Sequence, residues 1–231
     1  MKVRFLGLLT AAAISIAATS ANASVVFNFG VGPNGVSTAS WGGNQGVSHA
    51  YTASGLTVTA TAFGTAKDGV ADQLYGKHSG GDENGLGMTN DPSGDNEIYY
   101  NKGFIQLDLS QLYGHIVAGS DFLSFGSSTQ NEQWTIYGSN TAGVLGSTAL
   151  PATKSFISSG GAENTLVQLT GGYRYYDVVS TSTSGGKNVL LRSLSVTATP
   201  EPGTWAMMMV GVFGIGSLLR RKRAAVSAAA A

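Results

Sequence analysis

The stretch Leu56-Thr57-Val58-Thr59-Ala60-Thr61-Ala62-Phe63 decides the fold class, because its side chains change character at every step. Leu56, Val58, Ala60 and Ala62 fall on one side of an extended chain, and Thr57, Thr59 and Thr61 on the other. A period of two belongs to a strand with one buried and one solvated face; a helix would need apolar residues every three to four positions. Phe104 to Ser110, FIQLDLS, repeats the pattern, with Ile105, Leu107 and Leu109 opposed to Gln106 and Asp108.

Working outward, similar short runs occur at Val25–Phe29, Asp121–Ser127, Gln133–Ser139, Leu166–Leu169, Tyr173–Val179 and Val189–Ala198. Around ten such runs, separated by Gly, Asn and Ser and with no convincing amphipathic helix among them, predict an all-β fold: a single jelly-roll-like β-sandwich over residues 24–198. Composition agrees: 33 of 231 residues are glycine and only 11% are charged, a mixture suited to turn-rich sheets. Cysteine is absent, which excludes disulfides, thiolate nucleophiles and cysteine-ligated metal sites.

The formal net charge of zero hides an uneven distribution. Lys2, Arg4, Arg220, Arg221, Lys222 and Arg223 lie at the two ends, so the body holds seven basic against twelve acidic residues, a net charge of about −5. A body without a concentrated positive patch argues against nucleic-acid binding, which depends on replacing counterions along the phosphates.

Both ends read as addresses. Lys2 and Arg4, an apolar run from Phe5 to about Ala18, and the small-residue triplet Ala21-Asn22-Ala23 have the three-part form of a secretory signal peptide over residues 1–23, a signal helix cleaved after Ala23. At the other end, Trp205 to Leu219 is an uncharged, largely apolar stretch, roughly 22 Å long as a helix against a hydrocarbon core of roughly 30 Å. Arg220 to Arg223 behind it would stay on the cytoplasmic side. Pro200 and Pro202 lack backbone donors and leave an extended hinge between the last strand and this short transmembrane helix.

Pro200-Glu201-Pro202, Trp205-Ala206, the Met/Gly-rich run and the cluster Arg220, Arg221, Lys222, Arg223 resemble the PEP-CTERM sorting tail of Gram-negative bacteria in its PEPxxWA variant, here spanning 199–223 before an Ala-rich 224–231. The same tail has been labelled an ice-binding protein C-terminal domain. The resemblance implies processing by signal peptidase and an exosortase, transient residence in the inner membrane, and delivery to the cell surface or exopolysaccharide matrix. A weaker resemblance joins GFIQLDLSQLYG, QWTIYGSNTAG and the run from Tyr173 to Ala198 to discoidin-type, galactose-binding-like sandwich domains.

Within the body, Asp82, Glu83, Asn84, Asn90, Asp91, Asp95, Asn96 and Glu97 form the densest oxygen-rich stretch. Asp91, Asp95 and Glu97 are the candidate ligands for a structural calcium ion, a hard cation that prefers carboxylate and carbonyl oxygens; no cofactor is otherwise required. Trp41, between Ser40 and two glycines, is the candidate aromatic platform for a sugar ring. Trp134 and Tyr175 fall on alternating strand positions and are expected inside. His49, His78 and His115 lack metal-ligand spacing, and no nucleophile elbow or phosphate-binding loop occurs, so no catalysis is expected. Asp108, Asp121 and Glu132 read as strand-face or turn residues rather than as a hydrolase pair. The single T-x-T row at Thr57, Thr59 and Thr61 is too little for an ice-binding face. These readings leave a polysaccharide-binding module first, and a structural matrix or biofilm protein that works by display as the alternative.

Overall fold

The computed structural model describes residues 22–29, 43–64, 72–78, 83–89, 91–100, 102–127, 132–150, 166–181, 188–199, 208–216 and 220. Among the described residues thirteen strands form two antiparallel sheets, an all-β sandwich. The first sheet holds β11 (Leu166–Gln168), β8 (Phe122–Gly126), β13 (Leu190–Ala198), β6 (Asn84–Met88), β5 (Leu74–His78) and β2 (Gly43–Gly46) in that order, with β1 (Ala23–Asn28) also paired to β13. The second runs β10 (Thr148–Ala149), β9 (Trp134–Ser139), β12 (Tyr175–Ser180), β7 (Gly103–Asp108), β4 (Leu56–Gly64) and β3 (Ser48–Ala53). Strands β1, β13, β8 and β11 of one sheet and β7, β12, β9 and β10 of the other follow the crossing order of a jelly roll, into which β2–β6 are inserted as extra strands at one side.

The alternation seen in the sequence places the core as expected. In β4, Val58, Ala60 and Ala62 are buried while Thr57, Thr59 and Thr61 point outward; in β7 and just after it, Ile105, Leu107 and Leu109 are fully buried. Each such aliphatic side chain removed from water contributes about 1.5–3 kcal/mol. Trp134 from one sheet stacks on Phe125 from the other, ring centroids 4.3 Å apart, and so ties the two layers at their centre. Tyr175, expected inside, is buried but on the outer face of the second sheet, the side of β12 that carries Asp177, while Tyr176 and Val178 fill the core. The β3–β4 hairpin closes through Ser54 and Gly55, both with positive φ, the geometry of a two-residue turn whose twist matches that of the paired strands.

Beyond the sandwich, residues 208–216 are helical, and their side chains are exposed, Phe213 and Ile215 among them. Nine residues rise about 14 Å. Among the described residues no helix is long and apolar enough to cross a membrane; of the transmembrane helix expected over Trp205–Leu219, residues 208–216 are described and helical, and the rest lies outside the described residues. The signal helix expected over residues 1–23 lies outside the described residues except for its last two, and Ala23 already belongs to β1.

Candidate functional site

The acidic stretch folds into two separate hydrogen-bonded clusters, neither of them a cation cage. Asp91 is buried and accepts bonds from the Ser93 N–H and hydroxyl at 2.8 Å, from the Glu97 N–H at 3.2 Å and from Asn188 Nδ2 at 3.1 Å. Its carboxylate holds the 91–97 loop against the residues that lead into β13. Asp95 is exposed. Glu97 is buried and turned toward β5, where Lys77 Nζ lies 2.5 Å from its Oε1 and also pairs with Glu83.

The Lys77 ammonium lies between the Glu83 and Glu97 carboxylates, of which Glu97 alone belongs to the expected calcium set. Burial pushes Glu97 up to about 8, against the pull of Lys77 and with the help of the neighbouring Glu83 carboxyl. Burial would also raise Glu83, but hydrogen bonds from Lys77 and Ser127 hold it below the usual carboxylate value. Asp91, Asp95 and Glu97 therefore do not converge, and among the described residues no group of three or more His, Asp and Glu is arranged to hold a metal. Asp82 and Asn90 lie outside the described residues, as do Trp41, Ala21, Pro200, Glu201, Pro202, Trp205, Ala206, Arg221, Lys222 and Arg223; Arg220 is helical.

A different place on the sandwich has the form of a binding site. The loop 109–121 between β7 and β8, and the loop 169–174 between β11 and β12, enclose a cleft of about 500 Å³, within the usual range for small-molecule sites. Tyr113, Ile116 and Leu169 supply apolar walls, Asp121 and Tyr176 lie inside, and Gln168 and Thr170 stand at the exposed rim. Gly171, at φ +90°, is required twice over: the backbone region is closed to ordinary residues, and a Cβ there would come within 2.3 Å of the Tyr173 ring.

Hydrogen bonds fix these walls. Tyr113 Oη donates to the Tyr173 carbonyl, Tyr176 Oη donates to the Thr170 carbonyl at 3.2 Å and accepts from the Tyr173 N–H, and Gln168 Nε2 donates to the Gly119 carbonyl at 2.6 Å. Asp121 differs from its neighbours. It is only 5% exposed, and burial raises its carboxyl above the usual value, opposed only by a hydrogen bond from its own backbone N–H. Among the described residues no cationic side chain acts on it, so the cleft presents a desolvated carboxylate flanked by two phenols.

The cleft wall is also stitched to the end of the sandwich. Val117 N–H donates to the Thr197 carbonyl and Thr199 N–H to the His115 carbonyl, both at 2.8 Å. The cleft therefore lies beside the point where the chain leaves β13 for Pro200. Sequence reading had Asp121 as a turn or strand-face residue and Tyr113 as one aromatic among many. Both belong to the loop 109–121, and what makes a cleft of them is the approach of the loop 169–174, some fifty residues further along the chain; the local signal was a carboxylate directly ahead of an apolar strand.

Comparison with known proteins places one segment. Residues 198–223 match the family model described as the PEP-CTERM protein-sorting motif, so the chain carries that motif after its last strand. The motif implies processing by an exosortase, export, and a cell-surface or extracellular destination. No curated protein and no solved structure matches the chain, and the discoidin-type likeness of the body is not confirmed.

Proposed function

We propose that this chain is an exported, non-catalytic glycan-binding protein of a Gram-negative cell surface or extracellular matrix. In this reading signal peptidase cuts after Ala23. The segment Trp205–Leu219 holds the chain briefly in the inner membrane with Arg220–Arg223 inside, and an exosortase processes it near Pro200–Pro202. The sandwich then engages exopolysaccharide through the cleft between loops 109–121 and 169–174.

The observation that supports binding is the cleft itself: an aromatic wall at Tyr113, a buried unneutralised carboxylate at Asp121, and rim groups at Gln168 and Thr170. Sugar rings present apolar C–H faces that pack on aromatic rings, and hydroxyls that need polar partners, which is what such a lining provides. A Glu or Asp partner that would complete a hydrolytic pair with Asp121 is absent from the lining, which favours binding over glycosidic cleavage.

The test is a glycan array probed with the full chain and with Ala118→Trp, which fills the mouth of the cleft. Glycan binding by the former and not the latter supports the reading. Binding that is equal in both, or absent in both while the fold is intact, overturns it. Cell fractionation and intact mass with and without the exosortase test the sorting half independently.

A further inference from the structure

The hydrogen bonds around the cleft leave it rich in acceptors and poor in donors. The Tyr113 and Tyr176 hydroxyl protons go to the backbone carbonyls of Tyr173 and Thr170, and the Gln168 amide donates to Gly119. The Tyr176 oxygen is taken up by the Tyr173 N–H, so what remains on offer is the Tyr113 and Gln168 oxygens, together with the Asp121 carboxylate. Among the described side chains lining the cleft, Asp121 alone carries a charge at neutral pH, and no Lys, Arg or His is among them. The body around it is acidic too, with seven basic against twelve acidic residues. Such a site complements a ligand that brings both a positive charge and several donors.

We propose that the cleft selects glycan units bearing a free ammonium group, that is, de-N-acetylated hexosamines, with Asp121 as the ion partner and the Tyr113 and Gln168 oxygens as further acceptors. This rests on the glycan-binding reading above and adds the charge of the ligand. An ammonium supplies three donors, and its hydrogen bonds to a carboxylate are about twice as strong as those between neutral groups. N-acetylation removes the charge and leaves one donor. A uronic acid would place a second carboxylate against Asp121 with no cation to separate them, and like charges at close range inside a desolvated cleft repel strongly.

Calorimetric titration of the full chain with a β-1,4-glucosamine oligosaccharide, its fully N-acetylated counterpart and an oligogalacturonate tests this at pH 7. Binding to the glucosamine oligomer at least about tenfold tighter than to the acetylated one, with the galacturonate silent, is the expected result. Asp121→Asn should bring the two hexosamine affinities together. Because a variant can fail for other reasons, the native chain supplies a second readout: its preference for the free amine should disappear as pH falls and the Asp121 carboxylate takes up a proton. Equal affinity for the acetylated oligomer, tighter binding of galacturonate, or a preference unmoved by Asp121→Asn and by pH would overturn the ammonium inference while glycan binding stands. If none of the three binds, and Ala118→Trp also leaves array binding unchanged, both readings fall together.

Discussion

Ala23 faces Ala198 across the antiparallel ladder of β1 and β13, the first residue of one strand against the last of the other. One is the residue expected to end the signal peptide, and the other stands two positions before Pro200. The described sandwich thus begins and ends at the same end of this ladder, so the expected cut after Ala23 and processing near Pro200 would both leave the core intact.

That placement predicts where trimming becomes harmful. Cleavage after Ala23 forfeits one rung of the ladder at an exposed end, whereas Val25, Phe27 and Phe29 are nearly fully buried. A chain spanning 24–199 should unfold cooperatively. One beginning at residue 30 loses two phenylalanines and a valine from the core, each phenylalanine alone worth about 3–5 kcal/mol by truncation, and should not fold. Thermal unfolding followed by circular dichroism compares them, and a stable fragment beginning at residue 30 would show that β1 is dispensable.

Gln106 and Asp177 pin the 140–147 loop to the outer face of the second sheet. Gln106 Nε2 donates to Asp177 Oδ1 at 2.8 Å, while the N–H groups of Gly143 and Gly146 donate to Gln106 Oε1 and Asp177 Oδ2. Gln106→Ala removes one donor from a buried carboxylate and one acceptor from the loop. It should cost about 2–3 kcal/mol in urea unfolding, with faster amide exchange confined to residues 140–147. A loss under about 0.5 kcal/mol would mean that water replaces the side chain.

These same residues show what the sequence could and could not reveal. The period of two in β4 and β7 located the inward faces, because one-sided burial imposes alternation directly on residue type. It also marked Gln106 as outward-facing, but not as buried, since the loop that covers it returns from beyond β9. Strand β6, Asn84–Met88, escaped notice for a different reason: Gly85 and Gly87 are needed where Leu190 and the 96–97 backbone approach, a Cβ at Gly87 lying 2.0 Å from the Asn96 carbonyl. Close packing of backbone on backbone erases the hydrophobic signal by which strands are recognised. Calcium was expected because carboxylates cluster in the sequence; that clustering gave no sign that Glu97 pairs with Lys77 from another strand.

That internal cation predicts a pH profile. Glu97 is raised to about 8, so between its unfolded value near 4.5 and about 8 the folded state holds more protons than the unfolded state. The contribution of Glu97 to stability is present at the acid end of that window and is lost as pH rises through about 8. Glu83 is lowered and works in the opposite sense, losing its contribution as pH falls through its depressed value. Stability attributable to this cluster should therefore decline from pH 6 to pH 9, and Glu97→Gln, which keeps a neutral side chain at every pH, should flatten the decline. Melting curves across that range decide the point; a parallel decline in the variant would assign it to other groups.

Asp121 carries the last prediction, because a carboxylate kept for a ligand should weaken the unliganded fold. Its raised value means that the folded state favours the protonated form, so ionisation above that value works against folding. Asp121→Asn keeps the size of the side chain and an oxygen for the Asp121 backbone N–H while removing the buried charge. The variant should be more stable than the native chain by about 1 kcal/mol at pH 7, the range common for substitutions that relieve a functional site. The sign of the linkage makes this gain shrink toward zero as pH falls below the unfolded carboxyl value, where both side chains are neutral. If Asp121→Asn instead destabilised the sandwich at pH 7, the carboxylate would be a structural acceptor whose partner the fold supplies, and the cleft would lose its claim to hold a charge for something outside the chain.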